Sequence, residues 1–142
     1  MNKRVYEQAL KEKRLVKFSE GVDLVREEIK AAKIDLRASK KSLEEKDYKW
    51  AIVQGYYAIF HAARALIYSR KIKEKTHYHL GVAIKVLFVD EYLLSEDLFE
   101  GLREAMGLRE KSDYESEYSK KGAEYVVRMA KDFIKESREI LS

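Results

Sequence analysis

Four polar-tipped side chains recur at helical spacing within residues 47–70. Tyr57, His61, Arg64 and Tyr68 follow one another at steps of four, three and four, so they share one face of a helix. A buried polar group without a partner costs about 1–3 kcal/mol, so these side chains need partners. Two arrangements would provide them. Either the row lines a cleft that binds an anion or a nucleotide, or it forms an interhelical hydrogen-bond network.

A second group of candidate ligands follows in residues 75–79. Lys75 and His77 lie near a helix start capped by Thr76, where free backbone N–H groups favour a phosphate. His77 and His79 are two residues apart, whereas a metal pair on a helix needs a spacing of three or four. We therefore predict phosphate contact here, no metal site and no cofactor.

The third group lies after a fading helical pattern. Arg109, Asp113 and Tyr114 occur in a polar segment that we expect to be a bend. They could bind a phosphate, orient a ligand or pair with one another. Tyr has an ordinary pKa near 10, so it is a poor proton shuttle at neutral pH. We treat the three as tentative catalytic residues.

Composition excludes several classes of protein. The 142 residues contain no Cys, which rules out disulfides, thiol catalysis and thiolate metal sites. They also contain no Pro, which is best explained by long uninterrupted helices. Few amides beside abundant Lys and Glu are typical of a thermophile. Without a membrane-spanning stretch or a signal peptide, we expect a cytoplasmic protein that makes no membrane contact.

The formal net charge of +4 lies entirely in residues 1–18. This segment could touch phosphates or an acidic partner, or could simply be a solvated helix face. We therefore divide the chain into a basic N-terminal arm or helix, 1–18, and a helical bundle domain, 19–142.

Apolar periodicity predicts an all-α protein. The expected helices cover about 2–13, 20–45, 47–70, 77–89, 95–107 and 120–141, with Ser19, Asp47, Thr76 and Ser95 as caps. Residues 71–75 and 111–119 read as loops. The widest apolar surface belongs to residues 47–70, so this helix should be central. The prediction is an antiparallel up-and-down bundle of about five main helices with a short inserted helix.

Gly55 lies inside the expected central helix. Glycine there costs about 1 kcal/mol relative to alanine. Close approach of a neighbouring helix, within the chain or across a dimer axis, would explain it.

Three runs together resemble a known family. They are YYAIFHAARALIYSR at 56–70, KTHYHLG at 75–81 and LREKSDYE at 108–115. They resemble the HEPN domain superfamily, specifically its small single-domain archaeal and bacterial branch, over about residues 20–141. The resemblance implies a helical bundle that forms homodimers. It also implies either a metal-independent ribonuclease or a toxin beside a nucleotidyltransferase-type partner.

The ribonuclease motif of that family is Arg, a polar residue, a few further residues and then His. Carried onto this chain it matches Arg109 and Glu110, while the His position falls on Tyr114. Imidazole is the side chain suited to proton transfer near pH 7, so its replacement favours binding over cleavage and leaves enzymatic activity open.

The resulting hypothesis is a dimeric HEPN-like module that binds a nucleotide, an RNA or a nucleotidyltransferase-type partner, as the toxin-like half of a toxin–antitoxin pair. One alternative is a metal-independent ribonuclease using Arg109 and Tyr114, with Asp113 and His61 or His77 assisting. Another is a ligand-free helical dimerisation scaffold.

Overall fold

The computed structural model describes residues 2–114 and 118–142, except for the side chain of Tyr114. Within them, six α-helices and two three-residue strands follow one another along the chain. In order they are α1 (Asn2–Lys11), β1 (Leu15–Lys17), α2 (Gly21–Glu44), α3 (Tyr48–Ser69), β2 (Ile72–Glu74), α4 (His77–Ile84), α5 (Glu96–Tyr114) and α6 (Lys120–Leu141). The predicted all-α helical bundle is confirmed.

Helix α3 is the centre of the bundle. It packs against α2, α4, α5 and α6, and most of its side chains are buried. A helix that is apolar on nearly all sides gains free energy only by being surrounded, so its neighbours must enclose it. Five large side chains on it are completely enclosed: Ile52, Tyr56, Ile59, Leu66 and Ile67.

Gly55 brings three helices together. A β-carbon at this position would lie 2.7 Å from Val126 Cγ1 on α6 and 3.0 Å from Ser39 Oγ on α2. Ser39 uses the same space to donate a 2.6 Å hydrogen bond to the carbonyl of Ala51. The close approach predicted from the glycine therefore occurs within one chain.

The loop predicted at residues 71–75 is partly a strand. β2 pairs antiparallel with β1, with Leu15 opposite Glu74 and Lys17 opposite Ile72. Leu15 is 1% exposed, and Ala9 of α1 joins the same core. Each strand has three residues, too few for alternation to be visible in a sequence window.

Several predicted helix ends need correction. Ser19 and Asp47 make no capping bonds, since α2 and α3 begin without a side-chain cap. The helix predicted over 77–89 is α-helical only as far as Ile84, and it continues as a π-helical turn from Lys85 to Val89. α5 continues through Tyr114, so the predicted bend at Arg109 is helical; a bend cannot be inferred from polarity when one helix face remains apolar. Thr76 and Ser95 do cap, accepting from the N–H groups of His79 and Leu98.

No helix among the described residues is long and apolar enough to cross a membrane.

Candidate functional site

The polar row on α3 divides between two clusters, and the first is an ion-pair network with α2 and β2. His61 Nδ1 lies 2.9 Å from Glu28 Oε1, and its Nε2 lies 3.6 Å from Asp35 Oδ2. Arg64 lies 3.8 Å from the same Glu28. Because α2 and α3 form an antiparallel hairpin, carboxylates of α2 meet the imidazole of His61 and the guanidinium of Arg64 along the shared face.

Arg64 is committed to Glu74. Its Nε and Nη2 donate to Glu74 Oε2 at 3.1 and 2.8 Å, and its guanidinium lies over the rings of Phe60 and Tyr68. The Glu74 side chain is 4% exposed, so a cation must neutralise it. Burial lowers the pKa of Arg64, but its hydrogen bond to Glu74 and the negative charges around it together outweigh this effect, so the net pKa is raised. Arg64 remains charged and internally paired.

The second cluster surrounds Arg109 on α5. The Arg109 guanidinium carbon lies 5.1 Å from the ring centre of Tyr56 and 5.7 Å from that of Tyr57. Its only ion pair among the described residues is a 3.5 Å contact from Nη1 to Asp113, one helical turn later. Its Nε is buried and finds no hydrogen-bond partner in residues 2–114 and 118–142. Arg109 therefore keeps unused donors beside an aromatic wall.

His77 belongs to the same cluster. Its Nδ1 lies 2.5 Å from the Tyr56 hydroxyl, and its ring stacks on Phe60 at 4.5 Å between centres. The Thr76 cap fixes the first turn of α4 and so holds His77 against α3. The imidazole and Arg109 thus both contact the Tyr56–Tyr57 pair, although 32 positions separate them in the sequence.

Burial and charge together keep His77 neutral. Burial lowers the pKa of His77 below its ordinary 6.5, and the nearby Arg109 lowers it further. Burial raises the pKa of Tyr56 well above its ordinary 10 despite the opposing effect of Arg109. At pH 7 the pair is therefore a neutral imidazole bonded to a protonated phenol.

This arrangement supplies two functions to a ligand. Arg109 offers guanidinium N–H groups, which bind a phosphate as a charged, directional pair. The hydrogen bond with Tyr56 fixes the orientation of the His77 ring, whichever ring nitrogen carries the proton. With Tyr56 donating, His77 Nε2 carries a proton and can donate to an anion; with Nδ1 donating, Nε2 can accept a proton from a hydroxyl group.

The remaining predicted residues are dispersed. Tyr57 lies in the Arg109 cluster, whereas Tyr68 is 4% exposed and packs edge-on against Phe18. Lys75 is exposed, and its backbone N–H donates to the Arg14 carbonyl. Asp113 contacts Arg109, while the side chain of Tyr114 lies outside the described residues.

Sequence reasoning missed three contributors. Tyr56 and Phe60 read as core, and Glu74 read as part of a basic loop. One signal was available for Tyr56, because a buried tyrosine hydroxyl needs a polar partner. Glu74 is the only acidic residue between Arg70 and Thr76. Among the described residues no three His, Asp or Glu side chains gather where they could hold a metal ion.

The helical bundle agrees with what the sequence comparisons show about the family of this chain. The HEPN domain model matches residues 25–141, and the chain belongs to this family. Two similar proteins come from Methanocaldococcus jannaschii. "Putative toxin MJ0605" is 31% identical over 122 residues, covering 82% of this chain and 91% of that protein. "Putative toxin MJ0142" is 28% identical over 115 residues, covering 80% and 78%.

Proposed function

We propose that this chain is a toxin-like HEPN protein that binds a phosphate group of a nucleotide or an RNA between Arg109 and His77. The observation that carries the proposal is the different pairing of two arginines. Arg64 is bonded to Glu74 through two nitrogens, whereas Arg109 has a buried, unpartnered Nε within the described residues. A partly buried guanidinium whose Nε has no partner favours an anionic ligand.

The aromatic wall favours a nucleotide-type ligand over a free anion. Tyr57 is partly exposed beside Arg109, and a base could stack on such a ring. Stacking of a base on an aromatic side chain contributes about 1–3 kcal/mol in single-strand binding.

Binding can be tested with Arg109→Ala and a matched control on the same helix. Arg103→Ala removes an exposed arginine of α5 that pairs only weakly, at 3.9 Å, with Glu100. We expect Arg109→Ala to weaken binding of a short 2′-O-methyl RNA, a strand that cannot be cleaved at its 2′ position, at least tenfold. Arg103→Ala should change it less than twofold. Equal affinities for the two variants would contradict the proposal.

The toxin-like role is supported by the names of the two relatives. We expect expression of the chain to slow growth of a bacterial host, and Arg109→Ala to relieve that effect while Arg103→Ala does not. A nucleotidyltransferase-type antitoxin partner and a homodimer stay predictions from the family. Co-purification with the product of an adjacent gene, and the mass in solution by light scattering, would test them.

A second candidate function is metal-independent RNA cleavage, with His77 serving in place of the motif histidine. The favouring observation is that His77 is neutral and lies in the Arg109 cluster. His77 Nε2 would take the proton of a ribose 2′-hydroxyl while its oxygen bonds to phosphorus. The bond from phosphorus to the 5′-oxygen then breaks, and that oxygen takes a proton from water.

Cleavage is tested by incubating unmodified RNA with the protein in EDTA. We expect His77→Ala and Arg109→Ala each to lower the cleavage rate at least a hundredfold, with Arg103→Ala unchanged. If His77→Ala cleaves as fast as the unaltered protein, cleavage through His77 is wrong, although phosphate binding can still hold.

A further inference from the structure

Eight cations line one groove between α2 and α6. On α2 they recur at steps of four, three, four and three, and on α6 at steps of four and three, so each row lies along one helix face. The rows are Arg26, Lys30, Lys33, Arg37 and Lys40 on α2, and Lys131, Lys135 and Arg138 on α6. All eight are exposed.

The groove is a continuous, shallow depression. One cavity of about 710 Å³ is lined by six of these cations and one carboxylate, Glu139. A second cavity of about 570 Å³ shares Lys33 and Arg138 with the first and adds Arg26 and Lys30. Apolar side chains form part of the lining, among them Leu36 and Ile134. The cations therefore flank a channel between two helices.

The eight cations have no neutralising carboxylate close by in the part of the chain that the structure describes. Among the described residues none of the eight makes an ion pair within 4.0 Å. Three carboxylates of the same helices are engaged elsewhere: Glu28 and Asp35 contact His61, and Glu136 accepts from the Ser95 N–H. Residues 19–142 have no net charge. The cations at this groove therefore reflect a separation of positive and negative side chains on the surface.

We propose that this groove binds the phosphate backbone of a single nucleic-acid strand. The α2 row from Arg26 to Lys40 spans about 21 Å at 1.5 Å per residue, with a cation about every 5 Å. A strand lying between the rows would meet cations on both sides. That the strand is RNA rests on the proposed function; the groove itself shares no residue with the Arg109–His77 cluster.

Other occupants fit the groove less well. In a twofold-symmetric pair of chains the same surface faces itself, which would bring like-charged rows together. A flat bilayer surface would not follow a channel between two helices. An acidic protein segment remains as the competing outcome of the test.

The test compares two variants of equal net charge. Arg37→Glu with Lys135→Glu reverses one cation on each wall of the groove. Lys3→Glu with Lys11→Glu makes the same change on α1, and each double variant brings the formal net charge from +4 to zero. Fluorescence anisotropy would follow binding of 12-nucleotide strands of 2′-O-methyl RNA and of DNA.

We expect the groove variant to bind at least tenfold more weakly and the α1 variant to stay within threefold of the unaltered protein. The plot of log affinity against log salt should also become shallower by about 1.4, since two phosphate contacts are lost at about 0.7 each. Preference for RNA or DNA identifies the sugar, and either strand supports the groove.

Four results would overturn the inference. Three are equal weakening of both variants, tighter binding of poly-glutamate than of either strand, and no binding of any strand. The fourth comes from Arg109→Ala. Arg109→Ala separates this inference from the proposed function. Loss of binding in that variant alone, with the groove variant unaffected, leaves the phosphate site standing and removes the groove.

Discussion

At the scale of residues, Arg64 and Arg109 are both partly buried but differ in how strongly they are paired with a carboxylate. Arg64 is held by a nearly buried carboxylate, while Arg109 rests on two tyrosine rings with a weak 3.5 Å contact to Asp113. The sequence places both among the candidate site residues, because it shows charge and spacing but not which arginine is paired with a carboxylate. Because Arg64 is paired with Glu74, we assign it a role in stability. Because the Nε of Arg109 has no partner among the described residues, Arg109 is suited to bind a ligand.

Replacing Arg64 with Ala should lower the free energy of unfolding by about 3 kcal/mol, because it leaves Glu74 buried without its cation. Adding Glu74→Gln removes the orphaned charge and should recover part of the loss. Urea denaturation of both variants measures this. A loss for Arg64→Ala below about 1 kcal/mol would show that water, and not Arg64, stabilises Glu74.

Stability should also depend on pH through His77. Its folded pKa lies below 6.5, so near and below that pH the unfolded chain binds a proton that the folded chain resists. Stability is therefore full above the unfolded value and falls as the solution is acidified below it. His77→Gln removes this contribution, and His79, whose pKa is also lowered mainly by burial, keeps its own.

Chemical denaturation between pH 7.5 and 5.5 checks the sign. We expect the unaltered protein to lose more stability over that range than His77→Gln does. A steeper loss in His77→Gln would mean that the folded protein stabilises the protonated imidazole.

At the scale of elements, sequence periodicity was sufficient for the long helices and insufficient for short pieces. α2, α3 and α6 each repeat an apolar face over more than twenty residues, so their bounds could be read within about two residues. The β1–β2 pair and the π turn depend on contacts distant in sequence. The candidate site shows the same division. Arg109 could be named from the sequence, but His77 joins it beside Tyr56 and Tyr57 only when α4 packs on α3.

The three-helix contact at Gly55 gives a matched pair of predictions. Gly55→Ala should destabilise the protein by about 1–2 kcal/mol, because the new methyl group meets Val126 and Ser39. Gly107→Ala, inside α5, should stabilise it by about 0.5–1 kcal/mol, because beyond its own helix no described residue lies within 4 Å of the added carbon. Melting temperatures that move in the same direction for both variants would contradict this packing.

At the scale of the whole molecule, one bundle presents two surfaces for phosphate chemistry. The Arg109–His77 cluster lies where α3, α4 and α5 meet, and the basic groove lies between α2 and α6. The sequence located its excess charge in residues 1–18, because a sum along the chain cannot detect cations and carboxylates sorted onto different sides of a helix. Sorting requires the fold.

The most direct test of the account observes all the arginine Nε–H groups together. In ¹⁵N-labelled protein, titration with a 2′-O-methyl dinucleotide should shift the Arg109 resonance saturably and leave Arg64 in place, since Arg64 Nε already donates to Glu74. Assignment follows from the Arg64→Ala and Arg109→Ala spectra. A shift of Arg64 with Arg109 unmoved, or no shift of either, would contradict the phosphate site proposed here.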